Sequence, residues 1–328
     1  MKPRKLFFTP SVALFGMPMG LIGLGLNGLH YAQTLNWDDT LARVILYYGY
    51  IALAIVGIPY FYTLIKEWLF RPEQALLLSE WQHPFQLSLF PSITLTLMLF
   101  FLSLWQLQWW QDWFFWGFLA VLFLHTVLLV QMVSHWIFDA RVELNHLKPT
   151  WFILLSGNFV SVISGLSILP ESWHEVLWFY FSATFFIWLT LVFSLFYQLI
   201  FIKRLSLRMQ PTLFIFLAPP SLGTVASILL FQNAQPSLVA WGFYSFASFM
   251  FLVWLFSIAH FRKSELSMVS WSYVYPLAAY GLAGQYMAES IHTSLLWWWS
   301  GMIFLVIIGF VVLLSSWLLK VTLARDGV

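Results

Sequence analysis

Apolar runs of about twenty residues recur along the whole chain, separated by brief clusters of charge, proline and glutamine. A run of that length crosses the hydrocarbon of a bilayer as a helix, whereas a barrel strand needs only about ten alternating residues. Hydrocarbon offers the backbone no hydrogen-bond partners, so spanning segments must satisfy their own. Composition agrees, with 61% of the 328 residues hydrophobic and 9% charged, against about 25% charged in a soluble domain. The expected fold class is an all-α polytopic membrane protein.

Splitting at the polar clusters gives ten expected spans, at 9–31, 44–65, 84–104, 113–134, 149–169, 176–202, 211–231, 237–259, 269–289 and 294–319. The connections are short, so successive spans form antiparallel helical hairpins in a single transmembrane domain, 1–328. The opening M-K-P-R-K-L-F-F-T-P has the basic start of a signal peptide. No small-residue cleavage site follows and the apolar run reaches spanning length, so it reads as the first span.

Lys and Arg set the orientation, because short cytoplasmic loops retain positive charge. Fourteen of the fifteen basic residues follow even spans or precede the first; Arg43 alone lies on the other side. Both termini are therefore expected in the cytoplasm, in a plasma membrane or, in a prokaryote, the inner membrane. The opposite loops hold Asp38, Asp39, Asp112, Glu171 and Glu175. Trp105, Trp109, Trp110, Trp113 and Trp297 to Trp299 read as headgroup-level anchors on that side.

Prolines divide unequally between the spans. Pro18, Pro91, the pair Pro219 and Pro220, and Pro276 lie inside odd spans, and among even spans only Pro59 is comparable. Several odd spans also open on proline, as Pro10, Pro84, Pro149 and Pro211, at a near-constant distance from an interior break, with Gly157 in the corresponding place in the fifth. Proline removes a backbone hydrogen bond and crowds the preceding turn. Small and hydroxylated residues follow these breaks: Gly16 and Gly20; Ser92, Thr94 and Thr96; Ser156, Asn158, Ser161 and Ser164; Ser221, Gly223 and Thr224; Gly281 and Gly284. Broken, small-residue helices are tolerated where they line a cavity, so odd spans are expected around a central path and even spans outside. Close helix packing is the other reading of the same residues. In the stretch Ser270 to Gln285 the break at Pro276 falls beside Tyr273 and Tyr275, which makes this helix the candidate gate.

The chemistry is sparse. Cysteine is absent, which excludes disulfides, thiolate metal sites and a thiol nucleophile. No Asp, Glu, Lys or Arg lies in the middle of an expected span, so the path carries no fixed charge and does not favour cations. His125 is the one ionisable group at depth, read either as a packed, hydrogen-bonded histidine or as a proton-coupling site. His83, His135, His146 and His260 fall near the cytoplasmic interface without metal-site spacing. No catalytic constellation, P-loop or dinucleotide fingerprint occurs in a suitable context. Neither enzyme activity, a cofactor, a metal nor a nucleic-acid partner is expected.

F-G-M-P-M-G-L at 15–21, H-P-F-Q at 83–86, N-F-V-S at 158–161, L-A-P-P-S at 217–221 and W-S-Y-V-Y-P-L-A at 271–278 together resemble the tellurite-resistance and dicarboxylate-transporter family, which includes bacterial TehA and the plant slow-type anion channels. The resemblance implies a ten-helix protomer of five hairpins, assembled as a trimer with one pore per protomer. It also implies an aromatic plug in the ninth helix, where the family's phenylalanine matches Tyr275. A tyrosine there keeps the ring and adds a hydroxyl that can donate to an anion. The expected function is an anion channel with a narrow, uncharged, aromatic-gated pore. The alternatives are a proton-coupled carrier or exporter of dicarboxylate, sulfite or tellurite-related oxyanions, and a membrane scaffold without transport.

Overall fold

The computed structural model describes residues 10–70, 76–109, 111–140, 142–202, 205–233 and 235–326. Lys2, Arg4, Lys5, Arg71, Arg141, Lys203, Arg204 and Trp110 therefore lie outside the described residues. Those residues form helices and short connections, with no strand among them. Ten long helices organise the chain: α1 (Gly16–Leu35), α2 (Thr40–Phe70), α3 (Pro91–Gln106), α4 (Asp112–Phe138), α5 (Phe152–Ile168), α6 (His174–Tyr197), α7 (Ala218–Phe231), α8 (Leu238–Phe256), α9 (Val274–Ser290) and α10 (Ser294–Asp326). With their flanking turns, nine of these are long and apolar enough to cross a membrane. The exception is α9, whose α-helical part has 17 residues and carries Tyr275, Tyr280, Gln285, Tyr286 and Glu289.

Burial alternates along the chain. In the apolar windows of α1, α3, α5 and α7, between 78% and 89% of residues are buried, against 22–33% in the five even helices. Each even helix packs on the odd helix before it, and α1, α3, α5, α7 and α9 close a ring in which each touches the next and α9 touches α1. The even helices turn large apolar side chains outward, among them Ile58, Phe123, Phe186, Phe249 and Leu305. A helix ring with this apolar outer surface is the form expected when the surrounding solvent is lipid.

The prolines have a local explanation. A 3₁₀-helical stretch precedes most odd helices, at Val12–Phe15, Pro149–Trp151, Leu207–Leu217 and Met268–Tyr273. The α-helix then begins at Gly16, Phe152, Ala218 or Val274, while α3 begins on Pro91 itself after the short helix Pro84–Leu87. Pro18, Pro91, Pro219, Pro220 and Pro276 thus occupy the first turn of an α-helix, where a missing N–H costs nothing. Gly157 is different: α5 runs unbroken through it, which corrects the expectation of a break there. Gly157 instead makes room for the His125 imidazole arriving from α4.

Other small residues serve the ring's contact with the outer helices. A Cβ at Gly25 would stand 2.5 Å from Leu46 of α2, and one at Gly223 would stand 2.9 Å from Phe243 of α8. Ser92, Thr96, Ser156, Ser161, Ser164, Ser221 and Thr224 each donate to a carbonyl three or four residues back along the chain. Their hydroxyls are thereby satisfied in an apolar interior, which permits close packing.

Two polar contacts flank α1, one at the turn that precedes it and one at the start of α2. Glu80, on the short helix Leu76–Gln82, is 1% exposed. Its carboxylate accepts the Val12 N–H at 3.0 Å and the Tyr60 O–H at 2.8 Å. At the start of α2 Arg43 grips the Asp39 carboxylate through Nε and Nη2, at 2.8 and 2.7 Å, so the basic residue that departs from the charge pattern is neutralised by its neighbour.

Candidate functional site

The five odd helices run in one direction and supply residues to three chambers. The near chamber lies where these helices begin, the far chamber where they end. Gly16, Ser92, Ile153, Ile215 and Ser272 line the near chamber. Seven residues further along each helix, Gly23, Leu99, Val160, Leu222 and Ala279 line the central one. Seven further still, His30, Gln106, Ser167, Leu229 and Tyr286 line the far one. Seven residues advance an α-helix by two turns, or about 10.5 Å, so the chambers stack on one axis through the ring. Leu26, Leu102, Ile163 and Leu282 are shared by the central and far chambers and join them.

The central chamber is a constriction. Its volume is about 40 Å³, room for no more than a few waters at about 10–15 Å³ each. Tyr275 is the one polar side chain among its lining residues. The ring is held by Gly23 of α1, where an added Cβ would stand 2.9 Å from Tyr275 Cδ2. Gly20 similarly admits Val274, with 3.0 Å from its Cβ position to Val274 Cβ, bringing α1 and α9 together. The Tyr275 hydroxyl is buried without a hydrogen-bond partner. A buried donor left unpaired costs free energy, and that cost is recovered when an acceptor arrives.

The helix that carries Tyr275 is fixed one turn later. Asn27 of α1 donates to the Ala278 carbonyl at 2.7 Å and accepts from Gln285 Nε2 at 2.8 Å. Its amide nitrogen lies over Gly281, 2.8 Å from where a Cβ would be. All three polar groups are buried in the α1–α9 interface.

The near chamber, about 90 Å³, adds Trp271, whose indole N–H lacks a partner, as does the Ser272 hydroxyl. The far chamber, about 250 Å³, is the most polar of the three in its lining side chains, with His30, Gln106, Ser167, His174, Gln232 and Tyr286. His30 stacks on Tyr286 with ring centroids 4.3 Å apart. Its Nε2 lies 3.2 Å from Glu289, which also accepts from Thr34 at 2.7 Å. No Asp, Glu, Lys or Arg lines any of the three chambers among the described residues.

Of the residues singled out in the sequence, Gly16, Ser92 and Tyr275 line the chambers. Tyr273 faces elsewhere, with its ring against Phe214, Phe261 and Phe310. Thr94 meets His125, Thr94 Oγ1 to Nδ1 at 2.7 Å, and Ser161 reaches the Met98 sulfur at 3.2 Å. Asn158 is buried beside His125. Gly20, Pro18, Pro91, Gly157, Pro219, Pro220, Thr224 and Pro276 shape or pack the ring and are absent from the chamber linings. His125 is fully buried between α3, α4 and α5 and lines no chamber. The far-chamber residues were missed, although their seven-residue register with Gly23, Leu99, Val160 and Ala279 is present in the sequence.

A closed ring of five buried helices inside a lipid-facing layer, enclosing a row of chambers without fixed charge, defines a polytopic membrane protein of the channel or transporter class. Residues 8–319 match the family described as voltage-dependent anion channel, SLAC1, and the chain belongs to that family. It is also similar to two uncharacterized transporters of Methanocaldococcus jannaschii. One is 26% identical over 295 residues, covering 83% of this chain and 81% of the relative. The other is 25% identical over 289 residues, with 81% of each covered.

Proposed function

We propose that the protein is an anion channel: small anions pass along the row of chambers, and Tyr275 closes the path at its centre. The observation that carries this reading is the Tyr275 hydroxyl, an unpartnered donor in an otherwise apolar constriction. A path that offers O–H and N–H donors, and no carboxylate, solvates an anion better than a cation. The odd helices also begin together beside the near chamber, so their partial positive ends face it. With α9 counted as a span, the protomer crosses ten times as five hairpins and places both termini in the cytoplasm of a cell membrane. The trimer implied by resemblance belongs to the same proposal, with one path in each protomer.

Flux of chloride, nitrate, sulfite and malate into liposomes containing the purified protein tests it. Selective passage of one or more of these anions, with no sodium flux, is the expected result. Sodium passing as readily as chloride would exclude an anion path.

A proton-coupled carrier has one observation in its favour, the presence of His30 and His174 in the far chamber. Histidine is the side chain suited to exchanging protons near neutrality. Anion uptake that requires an imposed proton gradient, and loses that requirement in a His30→Gln, His174→Gln double variant, would establish the carrier. The same gradient requirement removed by His125→Gln would place coupling at His125 instead.

A further inference from the structure

A further cavity, about 490 Å³, lies outside the ring. Its walls come from α8 and α10, with Trp254 and Leu255 on one and Met302 and Val306 on the other, and its floor is the outer side of the gate helix and its preceding turn, at Ser270, Tyr273 and Leu277. Leu255, Met302 and Val306 are about half exposed, so the cavity opens between two membrane-length helices onto the bilayer. Its lining is mostly apolar, and its charge lies at the end where α8 turns toward α9. There Arg262 lines the rim, and two donors in the lining lack partners, the Trp254 indole N–H and the Ser264 hydroxyl.

We propose that this cavity binds one anionic phospholipid, with an acyl chain along the apolar wall and the phosphate and ester oxygens at Arg262, Ser264 and Trp254. Lipid is the occupant because the chemistry of the cavity is divided as a phospholipid is divided: a long apolar slot, then a cluster of donors beside a cation. Arg262 and its neighbour Lys263 outweigh Glu265 at this rim, and basic residues at a membrane surface select anionic headgroups. Arg262 also presents several donors in a fork that fits phosphate oxygens. The bound chain would rest on Tyr273 and Leu277, on either side of Tyr275, and so would brace the outer side of the helix that carries the gate. The site does not depend on which solute uses the chambers.

Native mass spectrometry of the protein released from nanodiscs containing equal phosphatidylglycerol and phosphatidylcholine tests this. Wild type should retain phosphatidylglycerol severalfold over phosphatidylcholine. Arg262→Gln should lose that preference, and Val306→Trp, which fills the slot, should lose retained lipid of both kinds. Val312→Trp, on the exposed outer face of α10 and outside the cavity lining, should behave as wild type. Equal retention in all four proteins, each folded by thermal unfolding, would overturn the proposal. So would a covalent dimer formed through Val306→Cys in this cysteine-free chain, because the occupant would then be a second copy.

Discussion

Gly23 of the chamber wall faces the ring of Tyr275, the candidate gate: a methyl group on Gly23 would stand 2.9 Å from Tyr275 Cδ2 and 3.3 Å from Cε2. Both distances are shorter than a carbon–carbon contact at its optimum of about 3.5–4.0 Å. The ring therefore keeps its place only because residue 23 has no side chain.

Gly23→Ala should push the ring from its slot and raise basal anion flux severalfold in liposomes. Gly242→Ala, where the added methyl meets nothing within 4 Å, should leave flux unchanged. Equal flux in the two variants would show that the ring position does not control passage.

Asn27→Leu should destabilise the protein by about 1–3 kcal/mol, the cost of leaving buried polar groups unsatisfied, because Gln285 Nε2 loses its acceptor and the Ala278 carbonyl loses a donor. Reversible unfolding in detergent measures this. Pairing it with Gln285→Leu should recover part of the loss, since both members of the buried pair are then apolar.

Gly157→Ala should cost about 1–3 kcal/mol, as an overpacked interior does, because its methyl group would overlap the His125 imidazole. In a His125→Ala background the same substitution should cost less, and that difference is the coupling between the two sites. Additive costs would mean that the imidazole does not occupy the Gly157 hole.

Glu80→Ala should destabilise the start of α1 by about 1–3 kcal/mol, since the Val12 N–H and Tyr60 O–H both lose their acceptor. Glu80→Gln retains a side-chain oxygen and should recover part of the loss. Equal unfolding midpoints for wild type, Glu80→Ala and Glu80→Gln would remove this carboxylate from the structural role assigned to it.

The membrane class and the division into buried odd and exposed even helices were legible in the sequence because they depend on segment length, charge and proline, which act locally. The direction each side chain faces was not. Thr94, Gly157, Asn158 and Ser161 are the small and polar residues a pore would use, yet they meet His125, Met98 or their own backbone. Helix rotation is decided by which neighbour fills each glycine hole, and that is a property of pairs distant in sequence. The residues alone left Tyr273 and Tyr275 as equal candidates, and only the resemblance singled out Tyr275; the structure puts Tyr275 in the central chamber and Tyr273 against Phe214, because two residues turn a helix by about half a revolution. Glu80 was missed because its short helix lies in a polar connection, where composition gives no sign of burial.

The most direct test of the gate is anion flux through single protomer variants at Tyr275 in liposomes, normalised to the amount of folded protein. Tyr275→Ala removes both the ring and its hydroxyl and should conduct far more than wild type, while Tyr275→Phe keeps the ring and should remain nearly closed. Equal flux in wild type, Tyr275→Phe and Tyr275→Ala, all folded, would contradict the assignment of Tyr275 as the gate.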